Sequence, residues 1–267
     1  MGNNYFDVNY LDTLAAGRSP LHRLDPRAKL ITTLLFIVTV VSFDKYALVA
    51  FIPFLVYPLV LISVGNLPAW YLLKRVLFVA PFAVLVGIFN PVMDREIIFH
   101  IGSMGITAGW VSFASILVRF FLTVTAALLL IALTGFNAVC EALLRLGVPR
   151  PLVVQLLFFY RYLFILGEES QRMQRARSLR SFHRGAVPYG IFIPMIGHLL
   201  LRTFDRSERI YQAMCCRGFD GHIPMAGSIK ISRKDCAFVL IWGFLFVVLR
   251  LYNVPLMIGE FLAGGFR

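Results

Sequence analysis

Two arginines carry the most specific chemistry in this sequence. Residues 168–182 read EESQRMQRARSLRSF and residues 205–219 read DRSERIYQAMCCRGF, an internal repeat offset by 37 residues. Identical pairs are Ser170/Ser207, Arg172/Arg209, Ala176/Ala213, Arg180/Arg217 and Phe182/Phe219, and Glu168 is matched by Asp205. Each copy therefore holds Ala-x-x-x-Arg, then a small residue (Ser181 or Gly218), then phenylalanine. Alanine and arginine four apart share one helix face, and the small side chain lets another element come close. Ser181 and Gly218 are expected to end their helices. An arginine at such a tip can donate several directed hydrogen bonds to carboxylates or helix-end carbonyls. Two equivalent tips imply two equivalent receiving grooves, hence a dimeric or pseudo-dimeric partner. The plainer alternative is a pair of solvated basic helices lying on anionic lipid. The matched small–Arg–small pattern weighs against it.

Other chemistry finds little support. The five histidines (His22, His100, His183, His198 and His222) form no clustered ligand pattern. Cys140, Cys215, Cys216 and Cys236 include no Cys-x-x-Cys and are read as reduced small hydrophobes. There is no G-x-x-x-x-G-K-[ST], so the chain supplies no standard ATP site. No Ser/His/Asp set or carboxylate pair suggests catalysis. The expectation is no catalytic, cofactor or metal site in this chain.

The elements that position the arginines follow from composition. Of 267 residues, 59% are hydrophobic and only 15% charged, against roughly 45–50% and 25% in soluble domains. Such a surface needs a bilayer as solvent. The net charge of +12 and a pI near 10.0 then read as cytoplasmic loops facing anionic lipid, and nucleic acid is not expected as a partner.

Apolar segments cover about residues 30–43, 47–64, 76–92, 110–134 and 236–252. Only Asp44, Lys45 and Tyr46 separate the first two, which predicts a tight helical hairpin. The fold class expected is all-α, a polytopic membrane protein with about five transmembrane helices. Residues 1–135 would hold the N-terminal segment and four spans, 136–232 the coupling helices, and 233–267 the last span and tail. Lysine and arginine alternate four, one, two, one and fifteen over the successive flanks, counting Lys74 and Arg75 in the second loop and Arg95 in the third. By the positive-inside rule the N-terminus and the basic segment are cytoplasmic. With no signal-peptide pattern at the N-terminus, a transmembrane helix is expected to act as the targeting signal. Residues 151–166 and 187–201 are apolar too, but Arg161, His198 and Arg202 interrupt or crowd them. They are read as amphipathic or partly embedded helices near the inner surface. Asp25-Pro26 predicts a capped helix start with proline in the first turn, leaving Arg27 and Lys29 as interfacial anchors. Arg119 lies inside an apolar run and must find protein, a polar cavity or the interface.

On these residues the sequence resembles the transmembrane coupling (T) component of energy-coupling factor transporters, ATP-driven importers of vitamins and transition-metal ions. The family's hallmark is two x-Arg-x motifs on cytoplasmic coupling helices, matched here by Leu179-Arg180-Ser181 and Cys216-Arg217-Gly218. Ser181 stands where glycine is more usual. The stretch SPLHRLDPRAKL at residues 19–30, after Tyr10-Leu11-Asp12, is similar to the family's entry segment and leans toward its CbiQ branch, which serves cobalt or nickel import. The resemblance covers nearly the whole chain. It implies a non-catalytic subunit in a bacterial or archaeal plasma membrane, coupling two ATP-binding cassette ATPase subunits to a substrate-binding membrane subunit. The implied coupling residues are Ala176, Leu179, Arg180 and Ser181, with Ala213, Cys216, Arg217 and Gly218. Cobalt or nickel is the implied cargo, with a vitamin as the alternative. A secondary transporter would need inverted repeats, whereas this repeat runs in one direction. A lipid-modifying enzyme would need intramembrane or interfacial acidic or histidine clusters, and none is found.

The charge alternation makes a topological prediction. Single cysteines placed near Arg23, Lys74 and Arg184, in a background without native cysteines, should be shielded from an impermeant reagent in sealed cells. Those near Lys45 and Arg95 should react. Labelling at position 184 from outside would refute the assignment.

Overall fold

Asp25-Pro26 begins the first long helix as its residue types require. In the computed structural model, which describes residues 8–17, 19–44, 48–93, 97–101, 104–180, 189–219 and 232–251, the Asp25 side chain accepts from the Arg27 amide at 2.8 Å. Pro26 occupies the first helical position, where a missing amide costs nothing. The chain divides into two compact units, Met1–Ala142 with Ser228–Arg267, and Leu143–Gly227.

The first unit contains α1 (Val8–Ala15), α2 (Pro26–Val41), α3 (Val56–Gly65), α4 (Ala69–Gly87), α5 (Asn90–Met93), α6 (Ala108–Thr134), the start of α7 (Phe136–Arg145), and α10 (Arg233–Leu251). α6 is the hub, packing against α1 to α5, while α10 packs on α2. A short antiparallel hairpin, β1 (Ile97–Ile101) with β2 (Met104–Thr107), precedes α6. The second unit holds α8 (Arg150–Arg180) and α9 (Tyr189–Cys216), which touch each other.

This is an all-α polytopic membrane protein, with details that the apolar runs did not show. α4, α6 and α8 are long and apolar enough to cross a bilayer, and Val49–Gly65 is a shorter apolar stretch. That stretch is not one α-helix. It begins as two 3-10 turns, Val49–Phe51 and Pro53–Leu55, before α3. Pro53 and Pro58 each lack the amide that a continuous helical ladder needs. The hairpin expected around Asp44, Lys45 and Tyr46 falls partly outside the described residues, as does Arg95. Lys74 and Arg75 lie within α4, not in a loop. Asn66, at φ 50°, ends α3 in the left-handed region, and α4 starts three residues later. Residues 151–166, expected near the surface, belong to a single 31-residue helix whose apolar window meets the length for a span. One arginine, Arg161, does not break so long an apolar run.

The core of the first unit is aromatic. Phe36 of α2 stacks on Tyr57 of α3 at 4.6 Å and meets Phe246 of α10 at 5.4 Å. Tyr57 also meets Trp242 edge-on at 4.9 Å, and its hydroxyl hydrogen-bonds Thr33 at 3.0 Å. Such ring pairs add about 0.5–1.5 kcal/mol each beyond area burial.

Charge closes both ends of α2. At its start Lys29, only 6% exposed, donates to the Leu133 carbonyl at the end of α6 (2.9 Å) and to the His22 carbonyl (3.4 Å). Asp235, 4% exposed, accepts from the Asp25 amide at 2.9 Å and from the Ser232 amide at 2.7 Å, so it caps α10 while holding α2. At the far end Arg119 of α6 donates to the Phe43 and Asp44 carbonyls at 3.0 and 3.2 Å, and Arg250 of α10 donates to the Ser42 carbonyl at 3.0 Å. The two guanidinium groups lie over the rings of Phe51 (5.4 Å) and Phe43 (4.6 Å). They satisfy orphan carbonyls and complement the negative end of the helix dipole. The expense of Arg119 in an apolar run is thus answered by protein. Near α1, His22 accepts from the Ser19 hydroxyl at 2.7 Å and donates through Nε2 to the Leu14 carbonyl at 3.0 Å. Burial lowers its pKa; the Leu14 bond opposes this and the Lys29 charge adds to it.

Removing one member of this buried charge cluster leaves others uncompensated. Lys29→Met should destabilise the protein by about 3–5 kcal/mol, read as a lower unfolding temperature in detergent. The double variant Lys29→Met/Asp235→Asn should recover part of that loss. Strict additivity would show that the two groups do not act together.

Candidate functional site

The two repeat copies fold as the C-terminal halves of α8 and α9. α8 runs unbroken to Arg180 because residues 168–180 contain no proline or glycine. Pro194 is accommodated within the N-terminal part of α9, well before the second copy. The matched Arg172 and Arg209 each turn back on the residue four earlier. Arg172 pairs with the Glu168 carboxylate at 3.7 Å, and Arg209 donates to the Asp205 carbonyl at 3.1 Å. These are local helix contacts, so the repeat's outward chemistry falls on the other matched arginines.

Arg217 closes α9 as the sequence leads one to expect. The Phe219 amide donates to the Met214 carbonyl and the Gly218 amide to the Cys215 carbonyl, both at 3.0 Å. Gly218 has φ +76°, a left-handed conformation open to glycine at little cost. Arg217 is therefore the capping residue, with its cation at the negative end of the helix. Arg180 is the last described residue of α8. Ser181 and Arg184 lie outside the described residues.

All the described motif residues are open to solvent: Ala176, Leu179, Arg180, Ala213, Cys216, Arg217 and Gly218. Leu179 is 88% exposed, a large apolar side chain held out beside a cation. All four cysteines are free; Cys140 is buried, and Cys215, Cys216 and Cys236 are exposed.

An ion pair pins the two helices, with Arg202 Nη1 donating to Glu169 Oε1 at 2.7 Å. Beside it Glu169, Arg172, Met173, Ala176, Arg177 and Arg180 of α8 face Met195 and Arg202 of α9 across an open groove of about 690 Å³. The end of α8 thus shares a groove with the first half of α9, and the pair runs broadly antiparallel. Arg180 and Arg217 consequently lie on opposite sides of the pin, up to roughly 40 Å apart at about 1.5 Å rise per residue. The first motif joins the groove; the second stands apart from it. The sequence reading missed Arg177 and Arg202 as groove residues. Arg177 has no matched arginine in the second copy, where Met214 stands, but its spacing from Met173 (four) and Arg180 (three) puts it on the groove face.

A family model described as CbiQ, Cobalt transport protein, matches residues 17–226. The chain is similar to an uncharacterized protein of Methanocaldococcus jannaschii, MJ1571, at 31% identity, with 82% of this chain and 78% of that protein covered. It is 26% identical to an energy-coupling factor transporter transmembrane protein, EcfT, of Ruminiclostridium cellulolyticum, over 85% and 89% of the two chains. With the EcfT of Bacillus subtilis the identity is 29%, over 77% and 82%.

The geometry at Gly218 can be tested directly. Apart from its chain neighbours, no atom of the described residues lies within 4 Å of a Cβ placed there, so Gly218→Ala should cost only the conformational term, about 1–2 kcal/mol. Hydrogen exchange of the amides at 217–219 should accelerate several-fold, with the rest of α9 unchanged.

Proposed function

The chain belongs to the CbiQ family of transmembrane components of energy-coupling factor transporters, and on that premise we propose that it is the coupling subunit of an ATP-driven importer, joining two ATPase subunits to a substrate-binding membrane subunit. The observation that carries this reading is the pair of matched, exposed arginines, Arg217 at the end of α9 and Arg180 at the last described turn of α8, on opposite sides of the Glu169–Arg202 pin. One partner groove could not receive both tips. Two ATPase subunits offer two. The lack of a phosphate-binding loop in the sequence supports leaving hydrolysis to those partners. The chain itself would act as a lever, moving as rigid helices between two packings.

The N-terminus and both motif helices are assigned to the cytoplasmic side, on the charge alternation alone. The coupling residues are Ala176, Leu179, Arg180 and Ser181 on the first tip and Ala213, Cys216, Arg217 and Gly218 on the second. The cargo we propose is cobalt or nickel, supported by the family's description as a cobalt transport protein. Uptake of labelled cobalt or nickel by the assembled transporter, compared with uptake of a vitamin, separates the two branches.

The arginines give the decisive experiment. Truncating one partner of a desolvated interfacial charge pair costs about 2–5 kcal/mol, whereas an exposed pair is worth about 1 kcal/mol or less. Arg180→Ala or Arg217→Ala should weaken assembly or coupling by well over about tenfold. The double variant should abolish uptake while membrane insertion stays normal. Arg180→Lys and Arg217→Lys should also be harmful, because lysine lacks the planar fork. Arg177 shares the groove with Arg180, so the exposed Arg175 and Arg206 serve as the controls. Native mass spectrometry of the wild-type complex should give two ATPase subunits per chain. If the control variants lose as much as the motif variants, the motif is only a basic surface and the proposal fails.

A further inference from the structure

The two repeat copies agree at their arginines but differ beside them. In the first copy Glu169, Met173, Arg177 and Arg180 share one face of α8, at spacings of four, four and three. The matched residues of the second copy are Arg206, Ile210, Met214 and Arg217. Met173 and Arg177 are half-buried, and so are Ile210 and Met214. Equivalent helix positions therefore carry a cation in one copy, Arg177, and a thioether in the other, Met214. The groove beside α8 adds to the difference. Glu169, the one carboxylate among its described lining residues, pairs with Arg202 at 2.7 Å, and Arg172 pairs with Glu168. Arg177 and Arg180 make no hydrogen bond or ion pair among the described residues. Met173 and Met195 supply the apolar part of the lining.

On the coupling reading, from which this follows, we propose that the two ATPase contacts are unequal. The groove beside α8 takes an acidic segment of one ATPase subunit, paired with both Arg177 and Arg180. The end of α9 holds the other subunit through one cation, Arg217, and apolar contact at Met214. Charge complementarity selects the first occupant. Two guanidinium groups three residues apart stand about one helical turn from each other, and each can donate paired N–H bonds to a carboxylate. Methionine adapts to an irregular apolar neighbour, so the same segment can rest apolar side chains on Met173 and Met195. Arg177 is thus a specificity-determining residue outside the repeated motif. A lipid surface would also attract these cations. A groove with an apolar lining, shared with the motif arginine, fits better the protein segment that the motif already engages. The inequality has a signature, because salt screens exposed ion pairs and leaves apolar contact intact.

Binding of the purified ATPase subunits to the full chain in detergent tests the inequality in two backgrounds. Arg217→Ala leaves the contact at α8, and Arg180→Ala leaves the contact at α9. Raising sodium chloride from about 0.1 M to about 1 M should weaken the α8 contact about fivefold more than the α9 contact. Arg177→Met, which gives the first copy the residue of the second, should remove that difference. Met214→Arg should confer the steeper salt dependence on the α9 contact, and it carries the test if Arg177→Met does not insert normally. Equal salt dependence in the two backgrounds, or a difference that neither exchange alters, overturns the proposal. If Arg177→Met leaves ATPase binding unchanged and instead lowers retention of added phosphatidylglycerol in native mass spectrometry, the groove belongs to lipid and the proposal falls. Those outcomes leave the coupling reading standing. Undiminished ATPase binding by the Arg180→Ala/Arg217→Ala double variant would sink the coupling reading itself, and the inequality with it.

Discussion

A buried ammonium sets the terms for the membrane unit. Lys29 sits almost out of reach of water, where an unpaired cation would cost several kcal/mol. Its position is tolerable because the Leu133 carbonyl accepts its hydrogen bond at 2.9 Å and two carboxylates, Asp25 and Asp235, lie close enough to offset the charge. The same three groups also start α2, start α10 and finish α6. One electrostatic requirement therefore fixes the axial register of three helices. The aromatic contacts between Phe36, Tyr57 and Phe246 depend on that register, since a shift of one residue along a helix turns each ring by about 100°.

The opposite end of α2 repeats the logic with different groups. Arg119 and Arg250 each approach carbonyls that no intrahelical amide can reach, and each covers an aromatic face. Helix ends are the weak points of a bundle in lipid, because no water replaces a missing hydrogen bond. Here long cationic side chains from neighbouring helices make those bonds. α2 is held at both ends and stacked in its middle, while Leu34, Leu35 and Val38 are left to the bilayer.

The second unit is built on a different balance. α8 and α9 have few buried residues, and the Glu169–Arg202 ion pair is the best-defined polar contact between them. An exposed pair of that kind stabilises by about 1 kcal/mol or less, which suits a hinge point better than a clamp. Each helix remains stiff along its length, so a displacement at one tip is carried to the other end of the same helix. A lever needs that combination of stiff arms and a weakly held crossing. On the coupling reading, the chemistry at the tips is supplied by Arg180 and Arg217, and Gly218 fixes the direction in which the second one leaves its helix.

The sequence alone determined the features that depend on near neighbours. The membrane class followed from composition, the start of α2 from Asp25-Pro26, the end of α9 from Arg217-Gly218, and the matched, exposed arginines from a repeat at constant offset. Each rests on hydrogen bonds or side-chain adjacency within about five residues, which spacing reveals directly. The breaks in Val49–Gly65 were also local, written in Pro53 and Pro58, but hydropathy averaged over them. Lys74 and Arg75 were assigned to a loop because charge was taken as a boundary, whereas a helix tolerates cations that can reach the interface. Tertiary structure decided what lies far apart in the chain. Lys29 and Leu133 are separated by 104 positions, and Asp25 and Asp235 by 210. Arg119 showed its cost in the sequence but not its acceptors, because a backbone carbonyl looks the same in every residue. Arg177 joined the groove for a similar reason: a groove belongs to two helices at once, and no spacing within one of them says where the other will cross.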